Sequence, residues 1–60
     1  MSRTRDIIEI AGEVQGETAS AWWFFDGAAV VWLPKSQVEW DSYTKVMHVP
    51  EWLAFEKGLL

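Results

Sequence analysis

The stretch Ser20-Ala21-Trp22-Trp23-Phe24-Phe25-Asp26-Gly27-Ala28-Ala29-Val30-Val31-Trp32-Leu33 decides how the rest of the chain is read. Two apolar runs rich in aromatic and β-branched residues flank Asp-Gly, a dipeptide that accepts the positive φ angles of a two-residue hairpin turn. The expectation is a β-hairpin over residues 21–32 in which Phe25 pairs with Ala28. Trp23 then lies opposite Val30 and Ala21 opposite Trp32, while Phe24 faces Ala29 and Trp22 faces Val31 on the other side. Large side chains meet small or branched ones on both faces. Such a hairpin cannot lie on a sheet with one wet face, so one face is core and the other is covered by a helix or by another molecule.

Upstream, Ile8, Ile10 and Val14 recur at strand spacing in residues 6–14, with Gly12 as a site for a bulge. Gln15-Gly16-Glu17-Thr18 carries no bulky apolar residue and is expected to turn. Downstream, Pro34 removes a ladder donor and should end its strand, leaving Lys35-Ser36-Gln37 as an exposed connection. Val38-Glu39-Trp40-Asp41 resumes an alternation with Val38 and Trp40 inward. A turn at residues 41–44 follows, then a strand over 45–49 in which Val46 and His48 oppose Met47 and Val49. Pro50 suits the first turn of a helix running to Lys57, Gly58 provides its stop, and Trp52, Leu53 and Phe55 offer it an apolar face.

The fold class is therefore mainly β: a four- or five-stranded antiparallel sheet, curled toward an SH3-like barrel, with a short C-terminal helix. Residues 1–5 are expected to be disordered and residues 6–60 to form one small domain. A chain of 60 residues sits at the lower limit of independent folding. With no Cys and a single His, disulfides and a tetrahedral metal site are ruled out as staples, and no cofactor is expected. Five Trp supply a core that is aromatic for its length, since each buried aromatic removes roughly 150 to 250 Å² from water. The lack of Cys fits a reducing, cytoplasmic setting. Neither a signal peptide nor a run of about 18 apolar residues is present, so no membrane partner is expected.

Nine acidic against five basic residues give a net charge of −4, which opposes general affinity for phosphate backbones and suits a basic partner surface. His48 lies inside a strand pattern with no companion ligand, and Glu39 and Asp41 project together from a strand as an exposed acidic pair. Ser20, Ser36 and Ser42 lack a nucleophile motif, and Gly12, Gly16, Gly27 and Gly58 are too scattered for a phosphate cradle. No catalysis is expected. Binding is what the residue types permit, because Trp, Tyr and Phe anchor interfaces. The candidate surface is the Trp22 and Phe24 side of the hairpin with Lys35, Ser36 and Gln37 at its end. Glu39 and Asp41, together with Glu13, Glu17 and Asp26, are the candidate charges toward a protein partner. The alternatives are a single-stranded nucleic-acid accessory module, for which the only cations are Lys35, Lys45 and the N-terminal arginines, and a self-associating piece such as a homodimer.

The box Ala29-Val30-Val31-Trp32-Leu33-Pro34-Lys35-Ser36-Gln37-Val38, preceded by Ala21-Trp22 and followed by Val49-Pro50-Glu51-Trp52-Leu53-Ala54 and Lys57-Gly58-Leu59, resembles a pattern in short bacteriophage and prophage proteins of unassigned function. It covers most of residues 21–60, although the run Trp22-Trp23-Phe24-Phe25 is more aromatic than that pattern. The resemblance implies a viral or prophage origin. Small acidic proteins of that origin often block host machinery, anti-CRISPR proteins among them, by occupying a cationic channel or covering a working surface.

Overall fold

The computed structural model describes residues 6–60, so the expected disorder of residues 1–5 falls outside the described residues. Residues 7–17 run as one strand bent at a single point, giving β1 (Ile7–Ala11) and β2 (Glu13–Glu17). Gly12 makes the bend. A Cβ there would collide with the carbonyl oxygen of Phe25 and come within 2.6 Å of the Phe24 ring, so only glycine lets the strand fold across β3 (Ala21–Phe25) at this distance. The Gly12 N–H donates to the Lys45 carbonyl at 3.1 Å, which extends the β1–β6 ladder one residue beyond the Ala11 and Val46 pair and ties the bend to β6.

The remaining elements are β4 (Val30–Pro34), β5 (Glu39–Asp41), β6 (Val46–Pro50) and α1 (Glu51–Glu56). They form two three-stranded antiparallel sheets, ordered β1-β6-β5 and β2-β3-β4. The protein is thus mainly β with one short C-terminal helix. Counting the bent first strand once gives five strands, and counting its halves gives six. Alternation sends Ile8, Ile10, Val14 and Trp40 inward as expected. The inward residues of both sheets share one core of Phe24, Leu33, Met47 and Val49, closed by Leu53 and Ala54 of α1. Trp40 meets Phe24 edge to face, with ring centroids 5.8 Å apart.

Three hairpin connections use the same device. Thr18 Oγ1 accepts the N–H groups of Ser20 and Ala21, Asp26 Oδ1 those of Ala28 and Ala29, and Asp41 Oδ1 those of Tyr43 and Thr44. In each, a short polar side chain satisfies the amides two and three residues ahead, fixing the loop by bonds local in sequence.

That device corrects the expected hairpin register. Residues 26–29 form a four-residue loop closed by the Asp26 N–H to Ala29 carbonyl bond, so Phe25 pairs with Val30, Phe24 with Val31, Trp23 with Trp32 and Trp22 with Leu33. The Asp26 carboxylate takes both alanine amides out of the ladder, and little is lost because those alanines have small side chains to bury. A slip of two residues keeps every side chain on its expected face. Residues 15–18 also differ from expectation. Gln15, Gly16 and Glu17 belong to β2, with a bulge between Val14 and Gly16, and the turn comes at Thr18.

The helix is one residue shorter at each end than expected. Pro50 closes β6 and serves as N-cap (φ −58°, ψ 141°), an extended conformation, and Lys57 is the C-cap. Gly58 at φ 76° stops the helix as expected. Leu59 donates to the Ala54 carbonyl and Gly58 to that of Phe55, the paired bonds of a Schellman ending. Of the apolar face expected from Trp52, Leu53 and Phe55, only Leu53 is buried. Ala54 joins it, while Trp52 is exposed and Phe55 is 73% exposed.

Candidate interaction surface

Because β3 and β4 are apolar on both faces, burying one set leaves the other outward. The enclosed set is Phe24 and Leu33, fully buried, with Trp22 and Val31 packed against the same core. The outward set is Trp23 and Phe25 of β3 and Val30 and Trp32 of β4. Trp32 is 44% exposed and Val30 39%. Trp23 and Trp32 are directly paired across the ladder, and their ring centroids lie 4.4 Å apart with planes tilted by 35°. On the other flank of Trp23 stands Gly16, its ladder partner on β2, where a Cβ would meet only Trp23 Cβ at 4.0 Å. Glu13 pairs with Phe25 and is exposed.

At the Phe25 end of this face lies a shallow, open depression lined by Glu13, Gln15, Phe25 and Asp26, among others. The N–H groups of Ala29 and Ala28 hold the Asp26 carboxyl below its ordinary value, so its charge persists into mild acid. Glu13 makes no ion pair among the described residues. None of Lys35, Lys45 and Lys57 lines the depression.

The surface expected from the sequence is therefore replaced by its reverse. Phe24 is fully buried and touches no solvent, and Trp22 faces inward, half-buried, with the Lys35 ammonium 4.5 Å from its ring centroid. Lys35 also pairs with Glu17 at 3.2 Å, so it shields Trp22 and closes the sheet end. Ser36 and Gln37 are exposed in the turn after β4, where the Gln37 N–H donates to the Pro34 carbonyl at 3.0 Å. They share a shallow depression with Ile7, Glu39 and His48, on the other sheet. Glu39 and Asp41 both project outward from β5, as expected, but Asp41 is committed to its turn. Its carboxyl is held below the ordinary value by the N–H groups of Thr44 and Tyr43.

Glu39 forms a cross-strand row with His48 and Glu9, in which His48 Nδ1 is 3.8 Å from Glu9 Oε2. No group of three or more His, Cys, Asp or Glu among the described residues has the geometry of a metal site. Among the described residues no helix is long and apolar enough to cross a membrane.

Sequence reading missed Trp23, Trp32 and Val30 as surface residues, whereas Glu13 and Asp26 stood among its candidate charges. The available signal was Val14, the one apolar side chain of β2. It marks the inward face, and its pairing with Phe24 assigns that face of β3 to the core. Using it requires knowing that residues 13–17 form a strand. No protein-family model matches the chain, and neither a search of curated proteins nor one of solved structures finds a match.

Proposed function

We propose that this chain is a non-catalytic protein-binding module whose working surface is the outward face of the β2-β3-β4 sheet, centred on Trp23 and Trp32. The observation that carries the reading is the stacked indole pair held on an outward face, with exposed Val30 beside it, in a chain that encloses Phe24 and Leu33 completely. Two neighbouring Trp side chains form a rigid anchor that loses little conformational entropy on binding. His48, which lies with Glu9 and Glu39 on a sheet face that is open among the described residues, is placed for surface contact.

The biological setting comes from the phage and prophage resemblance together with the net charge of −4. In that setting the protein works in the host cytoplasm and covers a surface of a host nucleic-acid-handling or defence complex, in the manner of an anti-CRISPR protein. A second reading, stacking of single-stranded bases on Trp23 and Trp32, is favoured by the indoles and opposed by the flanking carboxylates.

Capture from host lysate on immobilised protein, with Trp32→Ala and Phe55→Ala in parallel, tests the primary reading. A specific partner lost with Trp32→Ala and kept with Phe55→Ala supports it. A partner retained by both variants places the interface elsewhere. Saturable quenching of Trp fluorescence by oligonucleotides at low salt, absent in Trp32→Ala, would transfer the surface to nucleic acid.

A further inference from the structure

The outward face of the β2-β3-β4 sheet has a size and a charge that narrow its occupant. Three strands about 4.8 Å apart and five residues long make a face of roughly 14 by 17 Å, on the order of 240 Å². A stable globular interface buries about 800 Å² per partner. A second copy seated on this face alone would fall well short, whereas four or five residues of extended chain, at about 3.3 Å each, match its length. The apolar centre of Trp23, Trp32 and Val30 ends at the depression that Phe25 lines together with Glu13, its ladder partner, and Asp26. An aromatic surface next to two carboxylates, with none of the described lysines lining it, is complementary to a cationic side chain.

We infer that this face binds an extended basic segment of a partner protein, with an arginine or lysine seated in the depression between Glu13, Phe25 and Asp26 and neighbouring apolar side chains on Trp23 and Trp32. This deepens the protein-binding reading and rests on it. Glu13 is the residue free to pair with the incoming cation. One Asp26 oxygen is engaged by the Ala28 and Ala29 amides at 2.8 Å each, and that engagement keeps the carboxylate charged and oriented. Phe25 supplies the apolar surface along which the stem of the cationic side chain lies.

The test titrates the full chain, labelled with nitrogen-15, with a capped six-residue peptide alternating Arg and Val, a matched Glu and Val peptide and a short oligothymidylate. The expected result is saturable shifts of the Trp23 and Trp32 indole signals and the Glu13 and Phe25 amides with the Arg peptide only. Affinity should fall about three- to fivefold in Glu13→Gln, the scale of one exposed charge pair. It should fall further when ionic strength rises from about 0.1 M to about 1 M and the screening length drops from about 10 Å to about 3 Å. Phe55→Ala on the helix should bind as the wild type does.

Equal binding of both peptides, preferential binding of the oligothymidylate, shifts confined to the Glu9, His48 and Glu39 row, or no saturable shift at millimolar peptide would each overturn the inference. If Trp32→Ala abolishes capture of a host partner while Glu13→Gln leaves the affinity for that partner and its salt dependence unchanged, the apolar interface stands and the basic-segment assignment falls. If neither substitution changes capture, both fall.

Discussion

Trp23 and Trp32, directly paired across β3 and β4, stack with centroids 4.4 Å apart on the side of the sheet that turns away from the core. The pair is worth roughly 0.5 to 1.5 kcal/mol beyond its buried area. Trp32→Ala should therefore lower stability by about 1 to 2 kcal/mol and erase the exciton signature of coupled indoles in far-ultraviolet circular dichroism. Phe24→Ala, one residue along and fully buried, should cost about 3 to 5 kcal/mol. That is enough to leave a domain of this size largely unfolded at room temperature. Urea melts of both variants check the contrast, and equal losses would contradict the assignment of faces.

Gly12→Ala should be among the most damaging single-methyl additions in the chain. The new Cβ meets backbone, the Phe25 carbonyl oxygen, and the Phe24 ring at 2.6 Å, neither of which can retreat without opening the bend. Overpacking of this kind costs about 1 to 3 kcal/mol or more. Gly16→Ala, whose new Cβ would meet only Trp23 Cβ at 4.0 Å, is the control and should be close to neutral in thermal melts.

Lys45 has φ 60° at the end of the β5 to β6 turn, a left-handed conformation that costs an ordinary residue roughly 1 to 2 kcal/mol. Lys45→Gly relieves that strain at some cost in unfolded-chain entropy. The expected net is stabilisation of up to about 1 kcal/mol, read as a higher urea midpoint with unchanged slope. An unchanged or lower midpoint would mean that the lysine side chain contributes packing that outweighs the strain.

Acid should loosen two turns. In the folded chain Asp26 and Asp41 have pKa values below the ordinary aspartate value, because backbone N–H groups bond the ionised carboxylate. Their contribution to stability is complete above the unfolded aspartate pKa of about 3.9 and is lost as pH falls through that value to the lowered folded ones. Amide signals of Ala28 and Ala29, and of Tyr43 and Thr44, should titrate with midpoints below the ordinary aspartate value. In Asp26→Asn, which keeps an acceptor but carries no titrating proton, the Ala28 and Ala29 signals should stay flat over the same range.

How much was legible in the sequence differs element by element for physical reasons. The hairpin's two sets of side chains were readable because alternation is a local property, and the two-residue slip introduced by the Asp26 carboxylate leaves parity intact. Which set is core was not readable. Trp22 with Phe24 and Trp23 with Phe25 have equal hydrophobicity, and the choice is made by β2, β6 and the helix arriving from elsewhere. The strand over Gln15 and Gly16 was not legible because neither residue favours a strand, and the segment is placed by its ladder pairing with β3, Gly16 opposite Trp23 across a bulge. The helix existed where expected, but six residues give too few turns to say which side faces inward. The wet side took Trp52 and Phe55, the buried side Leu53 and Ala54. Consequently Trp22 and Phe24, expected on a partner-facing surface, lie on the core side of β3. The acidic residues near the exposed aromatics are Glu13 and Asp26, not Glu39 and Asp41.

The three side-chain-stapled turns also set how the molecule comes apart. Each hairpin corner is closed by atoms within a few residues of one another, so its loop-closure entropy is small and it can re-form within about 1 to 10 μs. The ladder from Ile7 opposite Pro50 to Ala11 opposite Val46 has no such local support and must close most of the chain's length at once. This seam, rather than the aromatic hairpin, is therefore expected to open first, and hydrogen exchange should show it as faster exchange of the ladder amides of Ile7–Ala11 than of those of Ala21–Phe25.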